Sequence, residues 1–325
     1  MLLAYVPRGA SLERVTVQKD APVPKTAVWI DVINPEPEED RLVEQLVGSS
    51  VPTREEMQEI EVSSRLYIEN GVRYMTATLM CQSDTPLPRT TAVTFILADH
   101  RLITVRYEEP RPFAIVSNKL TRQCSPAVTG ESVMMDLLDA VIDRCADILE
   151  RIGVEVDQVS RSIFATGNSS AKRSRVYQSV LKTIGSKGDL TSKVRESLVS
   201  IGRVLLFLAN ESEGLRLPKD ARAQIKSMHR DVGSLSDHAT YLTNNITFML
   251  DAMVGVVTIE QNNIIKIFSV VAVVLMPPTL VASVFGMNFK FMPELEWQFG
   301  YPYALGVMLL AAILPYLYFK WRKWL

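Results

Sequence analysis

Two long apolar segments near the C-terminus constrain the fold of this 325-residue chain more than any other feature. Residues 267–285 and residues 301–319 each contain no charged side chain. A helix rises about 1.5 Å per residue, so each segment is long enough to cross the hydrocarbon core of a bilayer, which is roughly 30 Å thick. The sequence therefore predicts an α+β membrane protein in which two C-terminal helices anchor a larger polar part.

The positions of the cationic side chains predict the orientation of these helices. Lys266 precedes the first segment, and Lys320, Arg322 and Lys323 follow the second, whereas the connecting stretch 286–300 is slightly acidic. Lys and Arg beside short loops are retained on the cytoplasmic side. We therefore expect the chain in the inner (plasma) membrane of the cell, in contact with lipid, with both termini in the cytoplasm and the loop outside.

Composition excludes several classes of protein. The formal net charge is −1 and the pI is about 6.4, so no basic surface for nucleic acid is indicated. The three cysteines, Cys81, Cys124 and Cys145, are far apart and odd in number, which favours reduced thiols in a cytoplasmic domain. No H-E-x-x-H, G-x-S-x-G or nucleotide-binding glycine loop is present. We therefore expect neither an enzyme nor a bound cofactor.

The first 130 residues are predicted to form a cytoplasmic α/β domain. Residues 27–32 have the pattern of a buried strand, and an acidic helix is expected after the turn that follows it. Asn70-Gly71 and Asp99-His100 each lie between two strand-like runs and predict hairpins. Thr53 and Glu56 have the spacing of a capping box, which predicts a helix running toward residue 62.

Helical patterns dominate from residue 131 onward. Residues 131–165 and 171–211 are predicted as two long helices, and a third is expected to run from Pro218 into the membrane. The predicted domains are therefore 1–130, a long-helix and stalk region at 131–263, and a transmembrane domain at 264–325. The last comprises the helices 267–285 and 301–319 and the outer loop 286–300.

Acidic residues recur at helical spacing along the first of these long helices. They include Asp136, Asp139, Asp143, Asp147 and Glu150. Such a stripe is typical of a solvated helix face. The alternative is a regulatory site at which a divalent metal ion binds between these carboxylates.

The first apolar segment runs directly into the string Gly286-Met287-Asn288. Mg²⁺ holds its water tightly, so it is best received by neutral oxygens that accept hydrogen bonds from the hydrated ion. The Asn288 carboxamide offers such an oxygen, and Gly286 allows backbone carbonyls to be exposed at the helix end. Repeated around an axis, these groups would form a selectivity ring.

The chain resembles the CorA family of divalent-cation channels. The resemblance is carried by this string, by MPPTLVAS inside the first segment and by FGMNFKFMPEL at the end of that segment. The resemblance covers most of the chain and implies a homopentamer. Within this family the chain is similar to the magnesium-transporting branch, because it has Met287 at the position where the zinc-transporting branch typically has valine. The resemblance further implies Mg²⁺ as the substrate and cobalt as a second transported ion.

Helical spacing and the resemblance together indicate a pore wall on the first membrane helix. Its predicted lining residues are Asn262, Ile265, Phe268, Met276, Thr279 and Ser283, with Asp251 as a carboxylate ring further inward. Back-bonding to the helix or packing between helices is the alternative for Thr279 and Ser283. For Asp251 the alternative is a salt bridge. Outside, Glu294 and Glu296 are expected either to concentrate cations or simply to be solvated.

These observations predict a channel-like magnesium transporter that admits Mg²⁺ along the membrane potential and is gated by cytoplasmic Mg²⁺. Neither membrane segment contains an ionisable residue of the kind that proton-coupled transporters use. A transporter of zinc, cobalt or nickel is the alternative within the same class. A membrane-tethered sensor or interaction protein is the alternative from a different class.

Overall fold

A computed structural model of the chain describes residues 1–18, 21–125, 127–164, 170–215, 217–287 and 297–322. The chain divides into two compact units, Met1–Met249 and Leu250–Leu325. The finer division at residues 130 and 263 stays a prediction.

A sheet of seven described strands forms the centre of the first unit. The strands are β1 (Leu2–Arg8), β2 (Ser11–Val17), β3 (Trp29–Ile33), β4 (Leu66–Glu69), β5 (Val72–Cys81), β6 (Arg89–Ala98) and β7 (Arg101–Arg106). Their order across the sheet is β2-β1-β3-β7-β6-β5-β4. β3 and β7 are parallel, with Trp29 opposite Leu102, and the other neighbouring pairs are antiparallel.

Both predicted hairpins are confirmed. Asn70 and Gly71 have φ angles of 50° and 81° between β4 and β5, and Asp99 and His100 have φ angles of 46° and 62° between β6 and β7. Two-residue turns with both φ angles positive match the right-handed twist of antiparallel strands. Asn, Asp and Gly tolerate this region of backbone conformation better than other residues, so the local sequence sets the register of both hairpins.

The described helices of the first unit are α1 (Pro37–Val47), α2 (Val62–Arg65), α3 (Arg111–Arg122), α4 (Gly130–Phe164) and α5 (Ser170–Asn210). Helix α6 (Lys219–Phe285) runs from the first unit into the second, which also contains α7 (Gly300–Trp321). The predicted acidic helix after β3 is α1. The predicted long helices correspond to α4, α5 and α6, and the last continues through Pro277 and Pro278.

The helix predicted at the Thr53 capping box is wrong in extent. The box itself forms, because the Glu56 N–H donates to Thr53 Oγ1 at 3.3 Å and the Thr53 N–H donates to Glu56 Oε2 at 2.7 Å. The helix is only a 3₁₀ turn at Glu56–Gln58. Met57 is 1% exposed but Ile60 is 89% exposed, so a longer helix would have no second apolar contact with the core.

Apolar side chains cover both faces of the sheet. Leu2, Ile30 and Tyr74 belong to the cluster that packs against Val43 of α1 and Met57 of the 3₁₀ turn. On the opposite face, aromatic rings stack from the strands to α3: Tyr5 on Trp29 at 4.1 Å between centroids, and Phe95 on Phe113 at 6.3 Å. The sheet is therefore buried between helical layers, as its nearly continuous apolar strands require.

Helix α5 covers an open strand edge. β4 is shorter than β5, so the outer edge of β5 is unpaired beyond residue 75. There the Thr78 N–H donates to Ser200 Oγ at 2.8 Å and the Met80 N–H donates to Ser197 Oγ at 3.3 Å. A helix that takes up exposed strand donors prevents pairing with another chain at that edge.

Gly130 allows α4 to begin directly against the β6–β7 hairpin. Its N–H donates to the His100 carbonyl oxygen at 2.8 Å. A Cβ atom at this position would lie 2.3 Å from the Leu102 nitrogen and 2.4 Å from the Arg101 carbonyl carbon. Because backbone atoms cannot give way locally, this close approach requires glycine.

Candidate functional site

The two predicted membrane helices correspond to the C-terminal part of α6 and to α7. Among the described residues, these two helices are long and apolar enough to cross a membrane. One stretch of 18 residues in each helix has a mean hydropathy of 2.2 (α6) or 1.7 (α7). Only 6% of each stretch is buried inside the chain. The core helix of a soluble protein would be mostly buried, so this apolar surface needs a cover that a single chain does not supply.

All seven side chains predicted to line a pore are exposed in the single chain. They are Asp251, Asn262, Ile265, Phe268, Met276, Thr279 and Ser283. At 3.6 residues per turn, these positions fall within an arc of about 120° on α6. The arc carries polar and flexible apolar groups, and Phe268 and Met276 are 71% and 67% exposed. Their assignment to a pore stays a prediction.

Thr279 shows the back-bonding that was the alternative to a pore role. Its Oγ1 donates to the Leu275 carbonyl oxygen at 2.9 Å and lies 2.8 Å from that of Met276. This use of the hydroxyl proton satisfies the helix locally. The lone pairs of Oγ1 remain available as acceptors, so the contact is compatible with a side chain that faces hydrated cations.

Gly286 closes the last turn of α6. Its N–H donates to the Ala282 carbonyl oxygen at 3.0 Å, and the Met287 N–H donates to the Val284 carbonyl oxygen at 3.3 Å. A Cβ atom at Gly286 would lie 3.1 Å from the Ala282 oxygen, which is tighter than an ordinary contact. Glycine therefore leaves this carbonyl uncrowded. The Met287 residue is 44% exposed in the single chain.

The rest of the predicted external site lies outside the described residues. This applies to Asn288, the third residue of the motif, and to the outer-loop acids Glu294 and Glu296. Their roles stay predictions from the sequence.

The acidic stripe lies on the solvent side of α4. Asp139, Asp143, Asp147 and Glu150 are exposed, and the half-buried Asp136 accepts a hydrogen bond from Lys119 Nζ at 3.0 Å. Partial burial raises the pKa of the Asp139 carboxyl, and the neighbouring carboxylates reinforce this effect while Lys119 opposes it. Across the described ranges, no group of three or more His, Cys, Asp or Glu side chains is placed to hold a metal ion within one chain.

A second charged cluster, centred on Asp84, was not predicted from the sequence. Its carboxylate accepts hydrogen bonds from Arg111 at 2.5 Å, Arg144 at 2.8 Å and Arg151 at 2.6 Å. The hydrogen bond from Arg151 and the charges of all three arginines hold the pKa of the Asp84 carboxyl below its usual range. The cluster fastens the β5–β6 connection to α3 and α4. No local sequence pattern predicts this cluster, because its members are far apart in the sequence.

Comparison with known proteins agrees with this architecture. The family described as "CorA-like Mg2+ transporter protein" matches residues 24–321. The magnesium transport protein CorA of Pasteurella multocida (strain Pm70) is 35% identical over 325 residues, covering 100% of both chains. The protein of the same name from Escherichia coli (strain K12) is 36% identical, again over 100% of both chains.

Solved structures share the fold. The complete CorA magnesium transporter from Methanocaldococcus jannaschii matches with a TM-score of 0.75 at 17% identity, covering 100% of this chain and 99% of that chain. The cytoplasmic domain of ZntB from Vibrio parahaemolyticus RIMD 2210633 matches with a TM-score of 0.57 at 10% identity, covering 77% and 95% of the two chains. At these identities the likeness shows the fold alone. Because the family match spans nearly the whole chain and the relatives align from end to end, this chain belongs to the CorA family, whose members transport ions and are not enzymes.

Proposed function

We propose that this chain is the subunit of a channel-like Mg²⁺ transporter in the inner (plasma) membrane, with both termini in the cytoplasm. The observation that carries the proposal is the identity of 35% and 36%, over the full length, with two bacterial magnesium transport proteins. The Gly286-Met287-Asn288 string at the end of the first membrane helix supports it.

The transporter works as a homo-oligomer. Two helices cannot enclose a water-filled path, so several copies must surround a common axis. The exposed arc of α6 supports this arrangement, because it presents the hydroxyl groups of Thr279 and Ser283 on an apolar segment that contains no charged side chain. Facing the axis, these groups meet water, whereas the rest of the apolar surface meets lipid or neighbouring subunits. From the family resemblance we expect five copies.

Hydrated Mg²⁺ is selected at the external entrance. Asn288 from each subunit contributes an amide oxygen that accepts hydrogen bonds from water held by the ion, so the cost of removing that water is avoided. Gly286 keeps the carbonyls at the end of α6 accessible, and Met287 fixes the turn. Glu294 and Glu296 in the outer loop raise the local concentration of cations.

Further inward, the path is narrow and carries no charge until the cytoplasmic neck. Ile265, Phe268 and Met276 form hydrophobic constrictions that close the path by expelling water. Thr279 and Ser283 supply hydroxyl oxygens along the wall. Asp251 forms a ring of carboxylates at the inner end, where it attracts the arriving cation.

The membrane potential drives influx. Moving two charges inward across 100 mV is favourable by about 4.6 kcal/mol, twice the single-charge value. This mechanism carries no proton or sodium ion in exchange. The two apolar membrane segments therefore need no ionisable side chain.

The flux of Mg²⁺ into liposomes that contain the purified protein tests this function. We expect uptake that grows as the interior is made more negative, with Mg²⁺ and Co²⁺ entering faster than Zn²⁺. Liposomes without protein give the background. Faster entry of Zn²⁺ than of Mg²⁺ would instead support the zinc-transporting alternative, and uptake at the background rate for every ion would support a membrane-tethered sensor.

Internal Mg²⁺ closes the channel by binding between acidic stripes of neighbouring subunits. Neutralising Asp139, Asp143 and Asp147 to asparagine is expected to raise the internal Mg²⁺ concentration needed for half-inhibition by about tenfold, because carboxylates are the ligands that hold Mg²⁺. Flux measured at fixed internal Mg²⁺ concentrations checks this. The exposed Glu13 of β2 gives a matched control as Glu13→Gln, and inhibition unchanged in the triple variant would refute the regulatory role.

A further inference from the structure

Five arginines line a cleft in the first unit that has no part in the proposed ion path. They are Arg54, Arg65, Arg89, Arg195 and Arg203. The cleft consists of two adjoining cavities of about 360 Å³ and 430 Å³, which lie among the 3₁₀ turn, β5, β6 and α5. Both cavities are lined by Gln58, Arg65, Thr78 and Glu196. Cavities of this size hold small organic molecules.

The walls of the cleft carry more positive than negative charge. In the part of the chain that the structure describes, none of these five guanidinium groups forms an ion pair with a carboxylate, whereas Arg106 and Arg144 do so elsewhere. The carboxylates in the walls belong to Glu59, Glu108 and Glu196. Five positive charges against three negative ones leave a formal excess of two.

Arg65 lies at the junction of the two cavities, and two hydrogen bonds hold its guanidinium group in place. Its Nη1 donates to Thr78 Oγ1 at 3.1 Å and its Nη2 donates to the Met57 carbonyl oxygen at 3.2 Å. Its Nε is shut off from solvent and has no hydrogen-bond partner among the described residues. Burial lowers the pKa of Arg65, Glu196 opposes this and Arg203 adds to it. A nearby anion stabilises a partly buried cation more strongly than an exposed one.

The other polar groups of the walls suit an oxyanion. Hydroxyl-bearing side chains line the two cavities, namely Thr78, Thr90, Thr91, Ser192 and Ser200. The Arg54 guanidinium lies 5.0 Å from the centre of the Tyr107 ring, a cation–π contact that orients its planar fork. Arginine forks bind phosphate oxygens through paired hydrogen bonds, and hydroxyl groups add further donors.

We propose that this cleft binds a small cytoplasmic anion with two or more linked phosphate groups, such as a nucleoside triphosphate or pyrophosphate. A single phosphate would occupy one cavity, whereas linked phosphates reach both cavities and contact the arginines on either side of Arg65. The formal excess of two positive charges matches a ligand with at least two negative charges. The inference rests on the first unit and does not depend on the proposed transport, although the cytoplasmic origin of the anion rests on the proposed orientation.

Calorimetric titration of the full chain, purified in detergent, tests the site with ATP and with inorganic pyrophosphate. Saturable binding of both is expected, and it should weaken as salt is raised because the attraction is screened. Similar affinities would identify the phosphates as the whole recognised group, and tighter binding of ATP would add its nucleoside part. No saturable binding of either probe up to about 1 mM would overturn the proposal.

Three variants locate the binding. Arg89→Gln and Arg195→Gln change exposed side chains and should each weaken binding at least about tenfold, the usual loss for one hydrogen bond to a charged group. Arg65→Gln should weaken it further. Arg14→Gln is the matched control, because Arg14 is exposed on β2 at the opposite edge of the sheet, and it should bind like the parent. If the Arg89→Gln, Arg195→Gln double variant binds as tightly as the parent, the cleft is not the site.

Discussion

Replacing Asn288 with alanine is expected to reduce Mg²⁺ flux at least about a hundredfold. One hydrogen bond to a charged group contributes about 1.5–3 kcal/mol, and in a ring of subunits the substitution removes several acceptors at once. The water held by Mg²⁺ would then lose its hydrogen-bond acceptors at the entrance. Uptake of Mg²⁺ into liposomes, at equal amounts of reconstituted protein, measures the effect.

Asn263→Ala provides a matched control for the loss of one amide. Asn263 is exposed on α6, about 160° from the middle of the arc that carries the predicted pore wall. Its replacement should leave the flux close to that of the parent. If Asn288→Ala assembles as the parent does and still conducts Mg²⁺ at the parental rate, the selectivity ring is not where we place it.

The sequence predicts best those elements that depend on neighbouring residues. Asn70-Gly71 and Asp99-His100 set two hairpins through their backbone preferences alone, and the apolar runs of α6 and α7 have the length that a membrane requires. The acidic stripe of α4 was likewise found from its spacing. Each of these signals lies within a short stretch of the chain.

Elements that depend on distant partners were missed. β1 was missed, and its position in the sheet depends on β3, with Leu2 opposite Val32 and Tyr5 opposite Trp29. α3 was missed for the same reason. Its Ser117 hydroxyl lies 2.8 Å from the Tyr5 hydroxyl, although the two residues are far apart in the sequence. The five arginines of the cleft come from four parts of the chain, with Arg195 and Arg203 both on α5, so only the fold brings them together.

A buried polar network in the parallel part of the sheet follows the same rule. Asp31 of β3 and Arg106 of β7 are 1% and 5% exposed. Arg106 Nη2 donates to Asp31 Oδ2 at 2.8 Å and Arg106 Nε to Asp31 Oδ1 at 3.0 Å. Thr104 Oγ1 also donates to Asp31 Oδ1 at 2.8 Å and accepts from Trp29 Nε1 at 2.9 Å. The two strands on which the parallel pairing depends are thereby joined by a fully partnered ion pair.

Removing one partner of this pair should destabilise the chain strongly. Asp31→Leu leaves the Arg106 charge buried without its carboxylate, a change that typically costs 3–5 kcal/mol. For a unit of this size, that corresponds to a fall of about 10 °C in the apparent Tm. Thermal unfolding of the full chain in detergent, followed by intrinsic fluorescence, measures the shift.

Two further variants separate the buried charge from the loss of contacts. Glu13→Leu breaks the Arg8–Glu13 pair, whose side chains are 72% and 49% exposed, and should shift the Tm by no more than about 3 °C because exposed pairs contribute little. The double variant Asp31→Leu, Arg106→Met removes both charges and should recover most of the loss. A double variant as unstable as Asp31→Leu alone would mean that hydrogen bonds to Thr104 and the backbone, rather than charge neutralisation, hold β3 against β7.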